Sequence, residues 1–184
     1  MARAGLSVSV RNLQARARVS GPRLSALARR TLSALGRADR EVHVTVVDDR
    51  RIRGLNARYL GKRTPTDVLA FNLEGPGSSR LMGEVVISAQ TAARQARRLG
   101  VPMALELDLL LVHGLLHLVG YDDSDRLEAR LMHERERDLL SQGRRRINHR
   151  LWSGLLDGAA AAPMSARGAK RPNRTTVRPD NKAR

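Results

Sequence analysis

The 184-residue sequence contains no cysteine, which excludes disulfide bonds and thiolate metal sites. Any metal ion must therefore be held by histidine, aspartate or glutamate. Long apolar runs are also missing: the longest, Leu109 to Val112, is followed at once by His113, whereas a transmembrane helix needs about 20 apolar residues. The amino terminus lacks the apolar stretch of a secretory signal. We therefore expect a cytoplasmic protein without disulfides and without a membrane partner.

Aromatic residues make up only 2% of the chain, so a protein that binds single strands mainly by stacking bases on aromatic rings is not expected. Positive charge, in contrast, is abundant, with 34 Lys and Arg against 18 Asp and Glu and a formal net charge of +16. Residues 143–184 carry 11 basic and 2 acidic residues, and residues 1–142 carry 23 and 16. The basic body favours a nucleic-acid partner bound through phosphates. The alternative is an arginine content that only reflects genome composition.

Hydrophobic periodicity predicts four strands and five helices. The helix from Pro102 to Val119 is apolar nearly all round, which is typical of a buried central helix. The last helix is predicted to be amphipathic and capped by Ser124, with Leu127, Leu131, Glu134 and Leu139 along it. The order β-α-β-α-β-β-α-α-α predicts an α/β (or α+β) fold, a mixed four-stranded sheet packed with about five helices. The predicted strands cover residues 6–10, 42–47, 66–71 and 83–88, and the helices begin near residues 21, 49, 89, 102 and 124.

The pattern divides the chain into two parts. Residues 1–143 are predicted to form one domain, and residues 144–184 are predicted to be a basic, disordered tail, since they become rich in Ala, Arg, Pro and Gly. Two roles for the tail stay open. It is either an electrostatic anchor on RNA, with salt-sensitive binding, or a dispensable extension.

Chemistry is concentrated at the end of the central helix. His113 and His117 are four residues apart and so lie on one helix face, close enough to share a metal ion. Gly120 allows the turn that returns the chain toward that face, and Asp123 supplies a third ligand. Histidines at this spacing are often core residues instead, but unpaired imidazoles are costly in an apolar helix. The sequence thus predicts a catalytic metal site with His113, His117 and Asp123 as ligands.

Residues around this motif refine the prediction. In the zinc-protease motif His-Glu-x-x-His the glutamate is the general base, and here Gly114 occupies that position, which disfavours a protease. Asp122 is either an acceptor that orients a metal ligand or a turn aspartate. His43 and His133 lie outside the motif and are expected to be ordinary strand and helix residues.

The segment from His113 to Asp123, HGLLHLVGYDD, resembles the signature His-Gly-x-Leu-His-Leu-x-Gly-Tyr-Asp-His of the YbeY family of bacterial endoribonucleases and rRNA maturation factors. Further matching segments follow in the family's order and spacing, and the resemblance covers about residues 5–142. These segments are Val46 to Asp49 with Leu55, Asn56 and Tyr59, then Pro65 to Phe71, and Gly83 to Ser88.

The resemblance implies a zinc-dependent endoribonuclease specific for single strands, with one Zn²⁺ per chain. It further implies a role in maturing the 3′ end of small-subunit rRNA and in ribosome quality control, with ribosomal RNA and the small ribosomal subunit as partners. Two alternatives stay open. One is a ribosome-assembly factor whose metal is chiefly structural, and the other is a different metallohydrolase.

The sequence departs from the family pattern at two positions. Asp123 stands where the family usually has a third histidine, and Leu60 stands where it commonly has a functional arginine. Arg58, Lys62 or Arg63 could supply the missing positive charge to a phosphate. We take Arg58 and Arg63 as candidate catalytic residues that neutralise charge during metal-assisted cleavage of a phosphodiester.

Overall fold

Four strands and five helices follow one another in the predicted order. They are seen in a computed structural model that describes residues 5–74 and 80–142. The predicted tail, residues 144–184, lies outside the described residues, so its boundary and disorder stay predictions. The elements are β1 (Ser7–Asn12), α1 (Gly21–Ala34), β2 (Glu41–Val47), α2 (Asp49–Leu60), β3 (Val68–Asn72), β4 (Leu81–Ser88), α3 (Ala89–Leu99), α4 (Met103–Leu118) and α5 (Arg126–Ser141).

The strands form one mixed sheet in the order β1-β2-β4-β3. β1, β2 and β4 are parallel, and β3 pairs antiparallel with β4 at the edge. Parallel neighbours need a crossover connection, and α1 and α2 lie in the two crossovers between them. The predicted α/β fold with a mixed four-stranded sheet is therefore confirmed.

The two faces of the sheet are covered unequally, and β3 shows this through its alternating side chains. Val68 and Ala70 belong to the large core that includes residues of α1, α3, α4 and α5. Leu69 and Phe71 point to the opposite face, where a small cluster forms around Ile52 of α2. The central helix α4 thus lies on one side of the sheet and α2 on the other.

Helix α4 lies very close to the sheet because it carries Gly114. A Cβ atom at this position would lie 2.6 Å from Cγ1 of Val85 and 3.3 Å from Cγ2 of Val68. Real Cβ atoms do not approach carbon as closely as the first distance. The position that holds the general base in the zinc-protease motif therefore has no room for a side chain unless the sheet shifts, and α4 uses the glycine for packing.

Helix α5 corrects two predictions. Its cap is Asp125, whose side chain accepts from the backbone N–H groups of Leu127 and Glu128, instead of Ser124. Leu127 and Leu131 are not on the buried side: they are 68% and 53% exposed. The buried side consists of Met132, Glu136, Leu139 and Leu140.

None of the helices in residues 5–74 and 80–142 is by itself long and apolar enough to cross a membrane. α3 and α4 meet the criteria of length and composition only when taken together, as a pair bent by 118°.

Candidate metal centre

The carboxyl end of α4 and the turn after it bring the three predicted ligands together. His113 and His117 lie on the last two turns of α4, which ends at Leu118. Gly120 then adopts φ of +101°, a left-handed conformation that glycine reaches without strain, and the N–H of Tyr121 donates to the carbonyl oxygen of Leu116 at 3.1 Å. This closed turn directs Asp123 back toward the histidines.

The facing atoms are spaced as ligands of one ion require. The Nε2 atoms of His113 and His117 are 3.0 Å apart. Asp123 approaches with one oxygen 3.9 Å from Nε2 of His113 and the other 3.8 Å from Nε2 of His117. Ligands of a tetrahedral zinc ion, each about 2.0–2.1 Å from the metal, stand about 3.3 Å from one another. All three side chains are at most 8% exposed.

Acceptors behind the two rings fix which nitrogen carries the proton. Nδ1 of His117 donates to the carbonyl oxygen of Tyr121 at 3.1 Å, and Nδ1 of His113 donates to Oε1 of Glu136 at 2.7 Å. Both neutral rings therefore turn the lone pair of Nε2 toward the other ring, 3.0 Å away. Two lone pairs this close require a shared proton or a metal cation between them. The residues thus fit a metal ion by their donor atoms and their orientation.

The pKa shifts follow from this arrangement. Burial and the neighbouring His113 lower the pKa of His117 to about 4. Burial alone would lower the pKa of His113 too, but the hydrogen bond and the charge of Glu136 outweigh it and raise that pKa. Burial raises the pKa of Asp123. His117 is therefore the ring that stays neutral and available as a ligand down to mildly acidic pH.

Sequence reasoning missed Glu136 and misjudged His133. Glu136 is fully buried, and its second oxygen accepts from Nδ1 of His133 at 2.9 Å. Burial would raise the pKa of Glu136, but the hydrogen bonds from His113 and His133 lower it. His133 is thus not an ordinary helix residue, because it belongs to a chain of contacts that leads to His113. The sequence does contain a sign of this role. Glu136 is four residues after Met132 and three before Leu139, so it lies on the apolar face of α5.

The other predicted residues lie elsewhere. Oδ1 of Asp122 accepts from the N–H groups of Asp123 and Ser124, which is the turn role. The Cζ atom of Arg58 lies 5.4 Å from the ring centroid of Tyr59 on α2, and Arg63 is exposed in the loop after α2. Within residues 5–74 and 80–142, neither arginine forms a hydrogen bond or ion pair with the three ligands. Their catalytic role stays a prediction.

A second group of polar side chains consists of the half-buried Asp67 and Gln95 and the buried Glu106. Oδ2 of Asp67 accepts from Nε2 of Gln95 at 2.8 Å, and the charge of Asp67 contributes to the raised pKa of His113. Glu106, near the start of α4, is 3% exposed. Burial, with the charge of Asp67, raises the pKa of Glu106 to about 7, partly offset by Arg98. Its Oε2 atom has no hydrogen-bond partner among the described residues.

Comparison with known proteins identifies relatives of this chain. A family model described as "Endoribonuclease YbeY" matches residues 9–144. The chain is 47% identical over 135 residues to a protein named endoribonuclease YbeY from Anaeromyxobacter sp. (strain Fw109-5). The aligned segment covers 73% of this chain and 70% of that protein. It is 41% identical over 142 residues to the protein of the same name from Geobacter metallireducens, covering 74% of this chain and 95% of the relative.

The fold is also found among solved structures. The solution structure of TM1509 from Thermotoga maritima matches with a TM-score of 0.52 and 21% identity, covering 91% of this chain and 99% of that one. At this identity the likeness concerns the arrangement of the backbone alone.

Proposed function

The chain belongs to the YbeY endoribonuclease family, and from this premise we propose that it is a metal-dependent endoribonuclease of rRNA processing. Its substrate is single-stranded RNA at the 3′ end of the small-subunit rRNA, and it also serves ribosome quality control in the cytoplasm. The observation that carries the proposal is the pair of Nε2 atoms turned toward each other and toward Asp123, in a chain whose relatives are named endoribonucleases.

The metal in this proposal is one zinc ion per chain, held by His113, His117 and Asp123. Two imidazole nitrogens and one carboxylate oxygen are a ligand set that zinc accepts, and three protein ligands leave a position for water or substrate. A bound ion supplies Lewis-acid polarisation of a phosphoryl oxygen and a more acidic water molecule. Aspartate in place of a third histidine lowers the charge of the site by one and broadens its metal choice toward harder ions.

The chain's own groups orient the ligands and balance charge. Glu136 and the carbonyl oxygen of Tyr121 hold the Nδ1 protons of His113 and His117, so that each ring keeps one tautomer and one orientation. In our proposal Arg58 and Arg63 neutralise the negative charge that builds up on the phosphate during cleavage, in place of the arginine that Leu60 replaces.

A second candidate is a ribosome-assembly factor whose metal is chiefly structural. The low exposure of the three donor side chains, at most 8%, favours it, since a structural ion needs no access to substrate. The presence of Leu60 at the family's arginine position points the same way.

The experiment that separates the candidates uses protein stripped of metal and reloaded with zinc. Cleavage of a single-stranded RNA that spans a small-subunit rRNA 3′ end is measured for the wild type, for Asp123→Ala, and for Asp39→Ala as an exposed aspartate outside the site. We expect zinc-dependent cleavage by the wild type and by Asp39→Ala, and none by Asp123→Ala. A fully metallated wild type that cleaves no RNA but binds small subunits would favour the assembly factor.

A further inference from the structure

The outer side of α2 is a basic surface that the metal site does not use. Arg50, Arg51 and Arg53 are all exposed there. The one acidic residue of α2, Asp49, is already engaged: it accepts from Ser88 at 2.5 Å, from Thr91 at 2.8 Å and from Arg94 at 2.6 Å. Asp49 therefore balances the positive charge of Arg94 on α3 and does not balance the arginines of α2.

Asp48 caps the start of α2 and accepts from the backbone N–H of Arg51 at 2.8 Å, but its carboxylate does not pair with the side chains of these arginines. Within residues 5–74 and 80–142, none of the three makes a side-chain hydrogen bond or ion pair. Helix α5 is the natural comparison, because it carries four arginines and four acidic residues, and its Arg130 bonds Glu134 at 3.0 Å. The two helices thus differ in their acidic residues: those of α5 balance its arginines, whereas the single one of α2 is engaged with α3.

An exposed aromatic ring lies at the end of the same helix. Tyr59 is 54% exposed, its ring centroid is 5.1 Å from that of Phe71 with an angle of 64° between the planes, and Arg58 lies over it. In a chain with only 2% aromatic residues, two of them thus meet at the surface. The low aromatic content argues against binding mainly by base stacking, but this exposed ring could make a single stacking contact.

The sheet extends this surface on the face that α2 covers only in part. Phe71 pairs in register with Glu84, Glu84 with His43, and His43 with Ser9. Residues directly opposite one another in a sheet share a face, so a row of hydrogen-bonding side chains leads away from the aromatic pair. Ser9 at its far end is exposed.

We propose that Arg50, Arg51, Arg53 and Tyr59, here named the α2 surface, bind single-stranded RNA. The arginines contact successive phosphates, and the ring of Tyr59 stacks on an unpaired base. An exposed ring can stack only on a base that is free of its helix neighbours, which selects single strands over duplex. The inference rests on the proposed function for its choice of RNA, and it adds a docking surface on the side of the sheet opposite α4.

The first test measures binding without cleavage. Fluorescence anisotropy with a labelled single-stranded RNA, in chelator, is recorded over a range of salt concentrations. The variant Arg50→Gln/Arg51→Gln/Arg53→Gln is compared with Arg126→Gln/Arg130→Gln/Arg135→Gln, which removes the same charge from α5. For the α2 variant we expect the slope of log K against log salt to fall by about 2, at about 0.7 per lost phosphate contact, and the α5 variant to keep the wild-type slope. Equal slopes for the two variants would overturn the proposal.

The second test isolates the stacking contact. Tyr59→Phe keeps a ring and is expected to bind the RNA as the wild type does, whereas Tyr59→Leu binds it about fivefold or more weakly. Polyphosphate, which has no bases, should bind both variants equally. An equal loss of polyphosphate binding in Tyr59→Leu, or tighter binding of duplex than of single-stranded RNA, contradicts the proposal.

The same preparations separate this inference from the proposed function. Zinc-loaded wild type that binds RNA through the α2 surface but does not cleave it would contradict the nuclease while supporting the surface. Cleavage by the wild type together with unchanged RNA binding by the triple α2 variant would support the nuclease and overturn the surface.

Discussion

Helices α2 and α4 pack on opposite faces of the same sheet and differ in almost every physical respect. α4 is buried along nearly its whole length, and the polar side chains His113 and Glu106 are buried with it. α2 buries only Ile52 and Asn56 and exposes Arg50, Arg51 and Arg53. The candidate metal site and the proposed RNA-binding surface thus lie on the two sides of one sheet.

The difference is clearest in the glycine that each helix carries in its interior. A Cβ atom on Gly114 of α4 would overlap Val85, whereas a Cβ atom on Gly54 of α2 would meet nothing within 4 Å. The same residue type therefore serves close packing in one helix and weakens the other. The environment of a helix, more than its residue type, decides what a substitution does there.

Exchanging each glycine for alanine tests this contrast most strongly. Gly114→Ala should lose about 1–3 kcal/mol of unfolding free energy through overpacking. Gly54→Ala should gain about 0.5–1 kcal/mol, because alanine is the better helix former. Urea denaturation of both variants, with the wild type as reference, measures the difference of roughly 1.5–4 kcal/mol. Equal effects would show that α4 is not packed as closely as its contacts with the sheet indicate.

Glu106 tests how completely the α4 side of the sheet excludes water from a carboxyl group. Its pKa is raised from 4.5 to about 7, so between these values the folded protein holds a proton that the unfolded chain has released. Stability should therefore fall as pH rises from about 4.5 to about 7, by about 3 kcal/mol from this group. Glu106→Gln should remove that loss.

The measurement compares the unfolding free energies of Glu106→Gln and wild type at pH 5 and pH 8, with chelator present at both. The advantage of the variant should grow with pH. Glu128→Gln, at an exposed position on α5, should show no such trend, and a matching trend there would argue against burial as the cause.

Glu136 gives the smallest expected effect, on metal affinity. A carboxylate that holds the Nδ1 proton of a ligand histidine raises affinity, and its loss typically costs 10–100-fold. We expect Glu136→Gln to weaken zinc binding by roughly this factor, measured by competition with a coloured chelator. Glu134→Gln, at an exposed position two residues earlier, should bind zinc as the wild type does; an equal loss would show that only the overall charge matters.

Local patterns in the sequence predicted much of this molecule. The structure brings together His113, His117 and Asp123, and the sequence predicted this grouping because helical spacing and a glycine turn decide their placement within a short stretch. The strands and helices were found because their apolar periods are clear, and α4 was recognised as central because it is apolar all round.

Contacts between distant segments were not predictable in the same way. Glu136 reaches His113 across 23 positions in the sequence, and this contact depends on the rotation of α5. The leucines Leu127 and Leu131 suggested the wrong side for that helix, since a period of four fits more than one face. Tyr59 and Phe71 likewise meet only through the packing of α2 on β3.

The three proposed metal ligands lie within eleven consecutive residues, from His113 to Asp123, and this bears on how an ion would be acquired. Closing so short a loop costs little chain entropy, so the three groups would be able to share an ion before α5 docks and Glu136 reaches His113. Metal loading should thus accompany synthesis and folding of the chain, and exchange from the finished protein should require only the turn around Gly120 to open.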